Sequence, residues 1–380
     1  FIFHFLTIYI QMYKIPFFKT YISKYALNKV KSTINSTFLN EGKVVKEFEN
    51  RIGNFLKSKY VNTTSSCTAA IHLALACSNI KKGDEVIMAP QTFISSGLVI
   101  LYTGAKPVFC DIDLKTGNIL FESVLKKINK KTKAIIAVHW SGYPCDMDKL
   151  KKICNMNNNK ISLIEDAAHA FGAKYKGKMI GTISDFTCFS FQSTKHLTTG
   201  DGGAIITKSS KNYKKIRRLK WFGIDRYKDR PNFLGERKYD TKLISYKYHM
   251  NDFSASLGLE NLKIMKKTIN YHHKIGNLYA RYLDNIPGLK LMDYSKKNFH
   301  SYWFFQIMVK NRKRFVNKIR NLGYPCVVVN QRIDKNSVFN NKNKLPNLDY
   351  FYKHQIGLPV NTDIKEKDIR IIATALKKGW

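Results

Sequence analysis

The chain has 380 residues, which is enough for one large domain with a full core and a smaller second domain. Its hydrophobic fraction of 44% and aromatic fraction of 13% exclude an intrinsically disordered protein. A net charge of +38 raises the question of a nucleic-acid partner. The lysines, however, are scattered along the chain beside frequent Asn and Ile, which indicates a compositional bias of the coding DNA. We therefore expect no nucleic-acid partner, while an anionic small substrate is compatible with the charge.

The cysteines and histidines indicate neither a disulfide framework nor a metal site. The seven cysteines are odd in number and contain no C-x-x-C pair. The ten histidines show no H-E-x-x-H spacing. We expect a reducing, cytoplasmic compartment and no bound metal.

The first ten residues, FIFHFLTIYI, are apolar. A membrane-spanning helix needs about 20 such residues, and the features of a secretory signal are missing. We expect no membrane association. Residues 1–11 form an extension with two open interpretations: translation from upstream of a functional start near Met12, or a short arm that packs on a neighbour.

Between residues 60 and 208, short β-branched or aromatic runs alternate with helical patterns. The predicted strands cover 85–90, 107–113, 133–140, 161–166, 186–191 and 203–208, and the predicted helices cover 68–77 and 147–156. This alternation predicts an α/β fold with a largely parallel sheet covered on both faces.

A long amphipathic helix is predicted to begin at Asn251 or Asp252, either of which can cap it. A strand at 301–309 and helices at 311–323 and 363–379 follow. We expect a large domain over residues 12–265 and a smaller C-terminal α+β domain over residues 266–380.

Asp166 ends the predicted strand 161–166. The carboxyl ends of parallel strands are where such sheets place ligands. A buried carboxylate needs a cationic or hydrogen-bonding partner, and a protonated pyridine nitrogen is one. The alternative is a helix N-cap for the Ala-rich segment that follows, and the residues alone leave both open.

Lys195 follows the predicted strand 186–191, in a loop where Gly200, Gly202 and Gly203 permit tight turns and close backbone approach. Desolvation and positive surroundings lower the pKa of a lysine, so that its amine can attack a carbonyl. The alternative is a solvated surface lysine.

The segment TTSSCT (63–68) precedes an Ala-rich helix. Its hydroxyls suit either simple helix capping or an anion site, because free N–H groups at a helix start also bind phosphate. Phe93 in PQTFISS suits either the core or stacking on an aromatic cofactor.

In their order, these motifs resemble those of the DegT/DnrJ/StrS-type sugar aminotransferases, a nucleotide-sugar branch of the fold-type I pyridoxal phosphate enzymes. The resemblance extends from about Met12 to Trp380. It rests on KIPFF, SSCTAAIHLAL, KKGDEVIMAPQTF, GAKPVFCDID, VHWSGYPCDMDKL, IEDAAHAFGAKYKGKMIG, FSFQSTKHLTTGDGGAI, LKWFGIDR, YKYHMNDFSASLGL and LKKGW. The implied fold is a PLP-transferase-like large domain with a mostly parallel sheet and a smaller C-terminal α+β domain.

The resemblance implies pyridoxal 5'-phosphate as the cofactor and assigns roles to residues at matching positions. Lys195, in the motif that ends TTGDGG, binds the cofactor covalently and moves protons. Asp166 of EDAAHA pairs with the pyridinium nitrogen. His169 lies near the phenolic oxygen, and Phe93 stacks on the ring.

Further positions of the motif imply a phosphate site and a dimer whose active sites are shared between the subunits. Thr68, Ala69 and Ser190 hold the cofactor phosphate. Many relatives have an Asn that reaches the phosphate in the partner subunit, and this chain has Lys247 there. We therefore expect a homodimer with shared active sites. A second departure is His249, where Arg is common.

The implied reaction is transamination of a nucleotide-diphospho-4-keto-6-deoxysugar, with glutamate as the amino donor. Two alternatives remain. Some relatives with His at the lysine position are nucleotide-sugar 3-dehydratases, and His196 would take that position if the alignment slipped by one residue. The other alternative is a non-catalytic regulatory or nucleic-acid-binding protein on the same scaffold, suggested by the charge.

Overall fold

The computed structural model describes residues 13–156, 161–225, 231–293 and 297–380. The extension expected at residues 1–11 lies outside the described residues.

A mostly parallel sheet of seven strands forms the centre of the larger unit. In chain order the strands are β1 (Tyr60–Thr64), β2 (Glu85–Met88), β3 (Lys106–Phe109), β4 (Thr132–Val138), β5 (Ser162–Asp166), β8 (Phe186–Ser190) and β9 (Gly203–Thr207), with a small hairpin of β6 (Lys174–Tyr175) and β7 (Lys178–Met179) inserted after β5. Across the sheet the order is β1-β9-β8-β5-β4-β2-β3. Of these strands only β9 runs opposite to the other six, so its pairings with β1 and β8 are antiparallel.

The six predicted strands are confirmed, but several end earlier than predicted. The run 107–113 leaves the sheet at Phe109, where its pairing with Met88 ends. β1 was not predicted, because three of its five residues are the polar Asn62, Thr63 and Thr64. These are buried nonetheless, and Glu49 accepts the Thr63 N–H at 2.8 Å.

Seven helices of the larger unit accompany this sheet: α1 (Ala26–Asn35), α2 (Lys43–Leu56), α3 (Cys67–Cys77), α4 (Ser95–Tyr102), α5 (Phe121–Leu125), α6 (Met147–Asn155) and α7 (Ser210–Leu219). The predicted helices 68–77 and 147–156 are α3 and α6. α3 packs on β8 and β9, and α6 packs on β5. α3 is almost entirely buried, as its apolar Ala-rich sequence requires.

The C-terminal unit is an antiparallel sheet of β10 (Leu289–Leu291), β11 (Phe305–Val309) and β12 (Gln355–Leu358), accompanied by α9 (Arg312–Asn321), α10 (Pro346–His354) and α11 (Glu366–Lys377). A 31-residue helix, α8 (Asp252–Tyr282), precedes it. The predicted cap is confirmed, since the Asn251 side chain accepts the Ser254 N–H at 2.8 Å.

The buried apolar side chains form two clusters, and α8 contributes to both. Met265 and Ile269 belong to the larger cluster, whereas Ile275 and Tyr279 belong to the smaller one. The division into residues 12–265 and 266–380 remains a proposal, because α8 crosses it without interruption.

The amino-terminal stretch packs against the C-terminal unit. The Lys14 N–H donates to the Gly323 carbonyl at 2.9 Å, and Asn361 Nδ2 donates to the Pro16 carbonyl at 2.8 Å. Lys19 forms an ion pair with Asp363. The stretch from Lys14 to Lys19 is therefore joined to the C-terminal unit in the folded protein.

Within the described ranges, even the long α8 lacks the apolar run that a membrane-crossing helix needs, and so does every other helix. The same ranges contain no cluster of His, Cys, Asp and Glu arranged to hold a metal ion. All seven cysteines are described, and each is a free thiol.

Candidate active site

Strands β1, β2, β5 and β8 end at one edge of the sheet, and the segments that follow them enclose a cavity of about 440 Å³. Six of the eight residues that the sequence predicts for the site line this cavity: Thr68, Phe93, Asp166, His169, Ser190 and Lys195. Ala69 and Lys247 are outside the lining. The position agrees with the general placement of ligands at the carboxyl ends of parallel strands.

The buried Asp166 carboxylate is held by donors from three segments, of which the Cys67 thiol at 4.0 Å is the most distant. Ser96 Oγ donates to Oδ2 at 2.7 Å, and the Ala168 N–H donates to Oδ1 at 3.2 Å. The residues after Asp166 form turns, so the helix-cap alternative is wrong. Because a carboxylate has about four lone-pair positions, Asp166 can accept a further bond from a ligand.

Lys195 lies one strand further along the sheet, since β5 and β8 are neighbours. Burial lowers the pKa of Lys195 to about 7, although the charges of Asp166 and Cys67 act in the opposite direction. A neutral amine is therefore abundant near neutral pH, as nucleophilic attack requires. The solvated surface lysine of the alternative interpretation is not what the structure shows.

Trp303, from the segment before β11, forms the wall beside Lys195. Lys195 Nζ lies 3.3 Å from the centroid of the Trp303 ring. The indole also stacks with His169 at 4.0 Å and with Phe18 at 4.4 Å. Its Nε1 donates to the Thr194 carbonyl at 2.8 Å. The C-terminal unit thus completes the cavity.

His169 is buried, and burial, followed by the charges of Lys195 and His196, lowers its pKa well below the usual value. The imidazole is consequently neutral at physiological pH. Among the described residues its Nδ1 has no hydrogen-bond partner. His169 itself lines the cavity, although this nitrogen is buried.

The start of α3 combines capping with a possible anion site. Ser66 Oγ accepts the Ala69 N–H at 3.1 Å, so Ser66 is the N-cap. Thr68 lies in the first helical turn and lines the cavity, as does Ser190 at the end of β8. Hydroxyls beside a helix N-terminus form a site for phosphate.

Phe93 lies in the cavity lining, whereas Lys247 lies outside it. Phe93 is 60% exposed and lines the cavity, so it is not a core residue. Lys247 is exposed between Tyr246 and Tyr248, whose rings stack at 5.0 Å and also contact His72 of the same chain. Lys247 therefore does not reach the cavity of its own chain.

His196 lies outside the cavity lining. Its Nε2 donates to the Ser301 carbonyl at 3.0 Å, and the residue is buried. The structure thus places Lys195, and not its neighbour, in the cavity.

Sequence reasoning missed several lining residues. Ser96 is three residues after Phe93 in PQTFISS, and that helical spacing could have drawn attention to it. Trp303 gives no such signal, because it belongs to a distant segment. Other missed lining residues include Phe18, Cys67, Gln192, Thr194, Val329 and Asn330.

The cavity fits pyridoxal phosphate. Lys195 offers an amine of lowered pKa for its aldehyde, and Asp166 offers a carboxylate for its ring nitrogen. The α3 terminus offers N–H groups and hydroxyls for its phosphate. His169 offers an imidazole in the cavity lining, whose pKa burial lowers.

Comparison with known proteins agrees with this fit. Residues 20–377 match the model of the DegT/DnrJ/EryC1/StrS aminotransferase family. The chain is 34% identical to GDP-perosamine synthase of Escherichia coli O157:H7 over 297 residues, or 78% of each chain. It is 28% identical to the UDP-4-amino-4,6-dideoxy-N-acetyl-beta-L-altrosamine transaminase of Campylobacter jejuni subsp. jejuni over 374 residues, covering 93% of this chain and 96% of that protein.

Among solved structures, the fold is shared with Spr1654 of Streptococcus pneumoniae, assigned as a sugar aminotransferase, in its PLP form. The TM-score is 0.86 at 26% identity, covering 96% of this chain and 98% of that one. The chain therefore belongs to the DegT/DnrJ/EryC1/StrS aminotransferase family and is a pyridoxal-phosphate-dependent aminotransferase with the α/β fold of the fold-type I enzymes.

Proposed function

We propose that this aminotransferase transfers an amino group from glutamate to C4 of a nucleotide-diphospho-4-keto-6-deoxysugar. The observation that carries the proposal is the pair formed by Lys195 and Asp166. A lysine with a pKa of about 7 and a buried carboxylate enter one cavity from neighbouring strands. This is the pair of groups that amino transfer with pyridoxal phosphate needs.

Pyridoxal phosphate supplies an aldehyde that carries the amino group and a ring that withdraws electrons. In the proposed site Asp166 binds the ring nitrogen, and its bonds from Ser96 and Ala168 fix the carboxylate in place. Lys195 holds the cofactor until the amino donor displaces it.

Once free, Lys195 acts as general base and acid. Its Nζ removes a proton from Cα of the amino donor and later delivers one to the sugar carbon that receives the nitrogen. A pKa of about 7 suits both directions, because neither the neutral nor the charged form is rare at physiological pH.

Five further residues are proposed to position the cofactor. Thr68, Ala69 and Ser190 hold its phosphate, with the Ala69 N–H at present bonded to Ser66. Phe93 covers a face of the ring. The neutral imidazole of His169 lies beside the phenolic oxygen of the cofactor.

The substrate class is supported by the relatives and by the charge. The names of two relatives specify a GDP-linked and a UDP-linked amino sugar, and the second specifies a 4-amino-4,6-dideoxy sugar. A net charge of +38 attracts a substrate that carries two phosphates.

We extend the proposal to a homodimer in which Lys247 completes the site of the partner subunit. Lys247 is exposed and lies outside its own cavity. The preceding segment exposes large apolar side chains, with Phe233 at 96% and Ile244 at 87%. Such side chains are typical of a surface that another subunit covers.

The test is incubation of the purified enzyme with glutamate and a panel of keto-deoxysugar nucleotides that differ in base and keto position. Mass spectrometry detects replacement of the keto oxygen by an amino group, and NMR assigns the aminated carbon. We expect amination at C4 with glutamate as donor. The Lys195→Ala variant is the matched control.

Other outcomes separate the alternatives. Loss of the C3 hydroxyl without gain of nitrogen would identify a 3-dehydratase. A colourless protein that converts no sugar would support the binding-protein alternative. Amination at C3 would retain the reaction class and correct the position.

A further inference from the structure

The contact between Lys195 and Trp303 has no assigned role in the reaction described above. Nζ lies 3.3 Å from the ring centroid, at the short end of the range in which a cation is attracted to an aromatic face. The indole cannot turn freely, because Nε1 donates to Thr194 and the ring stacks with His169 and Phe18.

We propose that the face of Trp303 binds the Lys195 ammonium whenever Lys195 is not bonded to the cofactor, so that Trp303 is a positioning residue for the reaction. The inference rests on the proposed role of Lys195. The inference adds Trp303, from the C-terminal unit, to the residues of the reaction. It also gives a binding position for the Lys195 side chain while that side chain is not bonded to the cofactor.

The charged groups around Lys195 explain why such a place is useful. Burial disfavours the ammonium, whereas Asp166 and Cys67 favour it. His169 and His196, the other titratable groups that interact with it, are kept neutral by burial. Without the indole, Asp166 would be the main partner of the ammonium. The aromatic face attracts the cation and leaves the lone pairs of Asp166 for the cofactor.

A purely structural role for Trp303 makes a different prediction. Packing depends on the shape of the indole, whereas attraction of a cation depends on the electron density of its face. Fluorinated tryptophans keep the shape almost unchanged and withdraw that density. The two roles can therefore be separated by a graded series of fluorine atoms.

The experiment measures the titration of Lys195 in the full-length enzyme after removal of the cofactor with hydroxylamine. The protein is produced with tryptophan or with its mono-, di- and trifluorinated forms. Trace labelling with acetic anhydride over a range of pH, followed by mass spectrometry of the Lys195 peptide, gives the midpoint for this amine. We expect the midpoint to fall stepwise, by about 0.5 to 1.5 pH units in total.

The chain has four tryptophans, so the Trp303→Phe variant grown with the same analogues serves as the control. Its midpoint should not depend on fluorination. Trp140 is a useful internal comparison, because it contacts the same His169 ring at 5.5 Å while the ammonium lies over Trp303. Trp140→Phe should keep the fluorine dependence.

Direct substitution gives a second measurement. Trp303→Leu should lower the midpoint, and Trp303→Phe, which keeps an aromatic face, should restore part of it. If Trp303→Leu does not fold, the fluorinated series still tests whether the indole face attracts the Lys195 ammonium. A midpoint that is constant across the series, or a trend that persists in Trp303→Phe, would overturn the proposal.

These readouts need neither cofactor nor turnover. Failure of the proposed function would appear separately, as absence of amination of the keto-deoxysugar nucleotides with glutamate.

Discussion

The hydroxyl of Ser96 determines how firmly the Asp166 carboxylate is held. Ser96 Oγ donates to Oδ2 at 2.7 Å inside a buried site. A hydrogen bond to a charged group contributes about 1.5–3 kcal/mol. Ser96→Ala should therefore lower kcat/KM at least about 10-fold and weaken cofactor binding, measured by kinetics and by absorbance titration.

Thr92→Val is the control for Ser96. Thr92 Oγ1 contacts Ser96 Oγ at 2.9 Å, so its removal alters the same network one bond further from Asp166. We expect a smaller loss. An equal loss in the two variants would show that the network, and not the direct bond, is what matters.

Lys195→Ala should abolish covalent attachment of the cofactor. After borohydride reduction and denaturation, the wild-type chain should retain the cofactor in the Lys195 peptide, and the variant should retain none. Turnover should stop. Lys178→Ala, which changes an exposed lysine of β7, should behave as wild type. Transamination by Lys195→Ala at a near wild-type rate would refute the assignment.

The lowered pKa of Lys195 predicts how pH affects cofactor attachment. Burial moves the pKa from 10.5 to about 7, and the neutral amine is the reactive form. The attachment rate of cofactor-free enzyme, followed by visible absorbance, should rise with pH and level off above about pH 8. A rate that still rises beyond pH 9 would indicate an unperturbed lysine.

The same pKa predicts a trend in stability. Between pH 7 and 10.5 the unfolded chain holds more protons at this lysine than the folded chain does. The contribution of Lys195 to the free energy of unfolding therefore rises with pH across this window.

At the scale of elements, the sequence predicts the strands and helices that have a clear apolar pattern or a capping residue. The six predicted strands and the capped start of α8 are of this kind. β1 was missed because its buried Asn and Thr residues are satisfied by partners such as Glu49, which a local pattern does not reveal. The predicted strand 301–309 starts only at Phe305, because Trp303 lines the cavity instead of pairing in the sheet.

Much of the site could be predicted because its residues follow strands that end at one edge. The motifs placed Asp166, Lys195 and Ser190 correctly at the cavity. Trp303, Val329 and Asn330 could not be found this way, since their contribution depends on how the C-terminal unit packs. The local sequence pattern around these residues does not indicate that packing.

Gly203, at the start of β9, allows the N-terminus of α3 to approach the sheet. A Cβ at this position would lie 2.6 Å from the Ser66 carbonyl carbon and 2.7 Å from the Cys67 nitrogen. Both are backbone atoms, so the helix start has to move. Gly203→Ala should cost about 1–3 kcal/mol of stability and lower the affinity for pyridoxal phosphate, measured by chemical denaturation and titration.

Gly200→Ala is the comparison for Gly203→Ala. Gly200 has a φ of +82° but open space where its Cβ would be. Alanine there adds backbone strain of about 1–2 kcal/mol without pushing the helix. We expect loss of stability with nearly normal cofactor affinity. The opposite ranking of affinities would contradict the role given to Gly203.

At the scale of the whole molecule, the proposed shared site predicts complementation between two defective subunits. Co-expression of Lys195→Ala and Lys247→Ala subunits gives heterodimers in which one site carries both lesions and the other carries none. The intact site should restore activity above that of either homodimer. Activity per heterodimer, isolated with two affinity tags, is the measurement.

The control is the Lys247→Ala homodimer alone. It should be impaired, because a charge-assisted contact to the phosphate is lost from both sites. Impairment of this homodimer without recovery in the mixture would place Lys247 in its own subunit and remove the shared-site model.

The joining of the stretch from Lys14 to Lys19 to the C-terminal unit has a consequence for biosynthesis. The seven strands of the large sheet have all been synthesised once Thr207 emerges, yet the cavity still lacks Trp303, Val329 and Asn330. The stretch from Lys14 to Lys19 is synthesised long before Gly323, Asn361 and Asp363, so it stays without these partners until the C-terminal unit is available. A nascent chain on the ribosome can thus form the sheet but not the complete cavity. We therefore expect stable capture of the cofactor only after the C-terminal unit has emerged and folded.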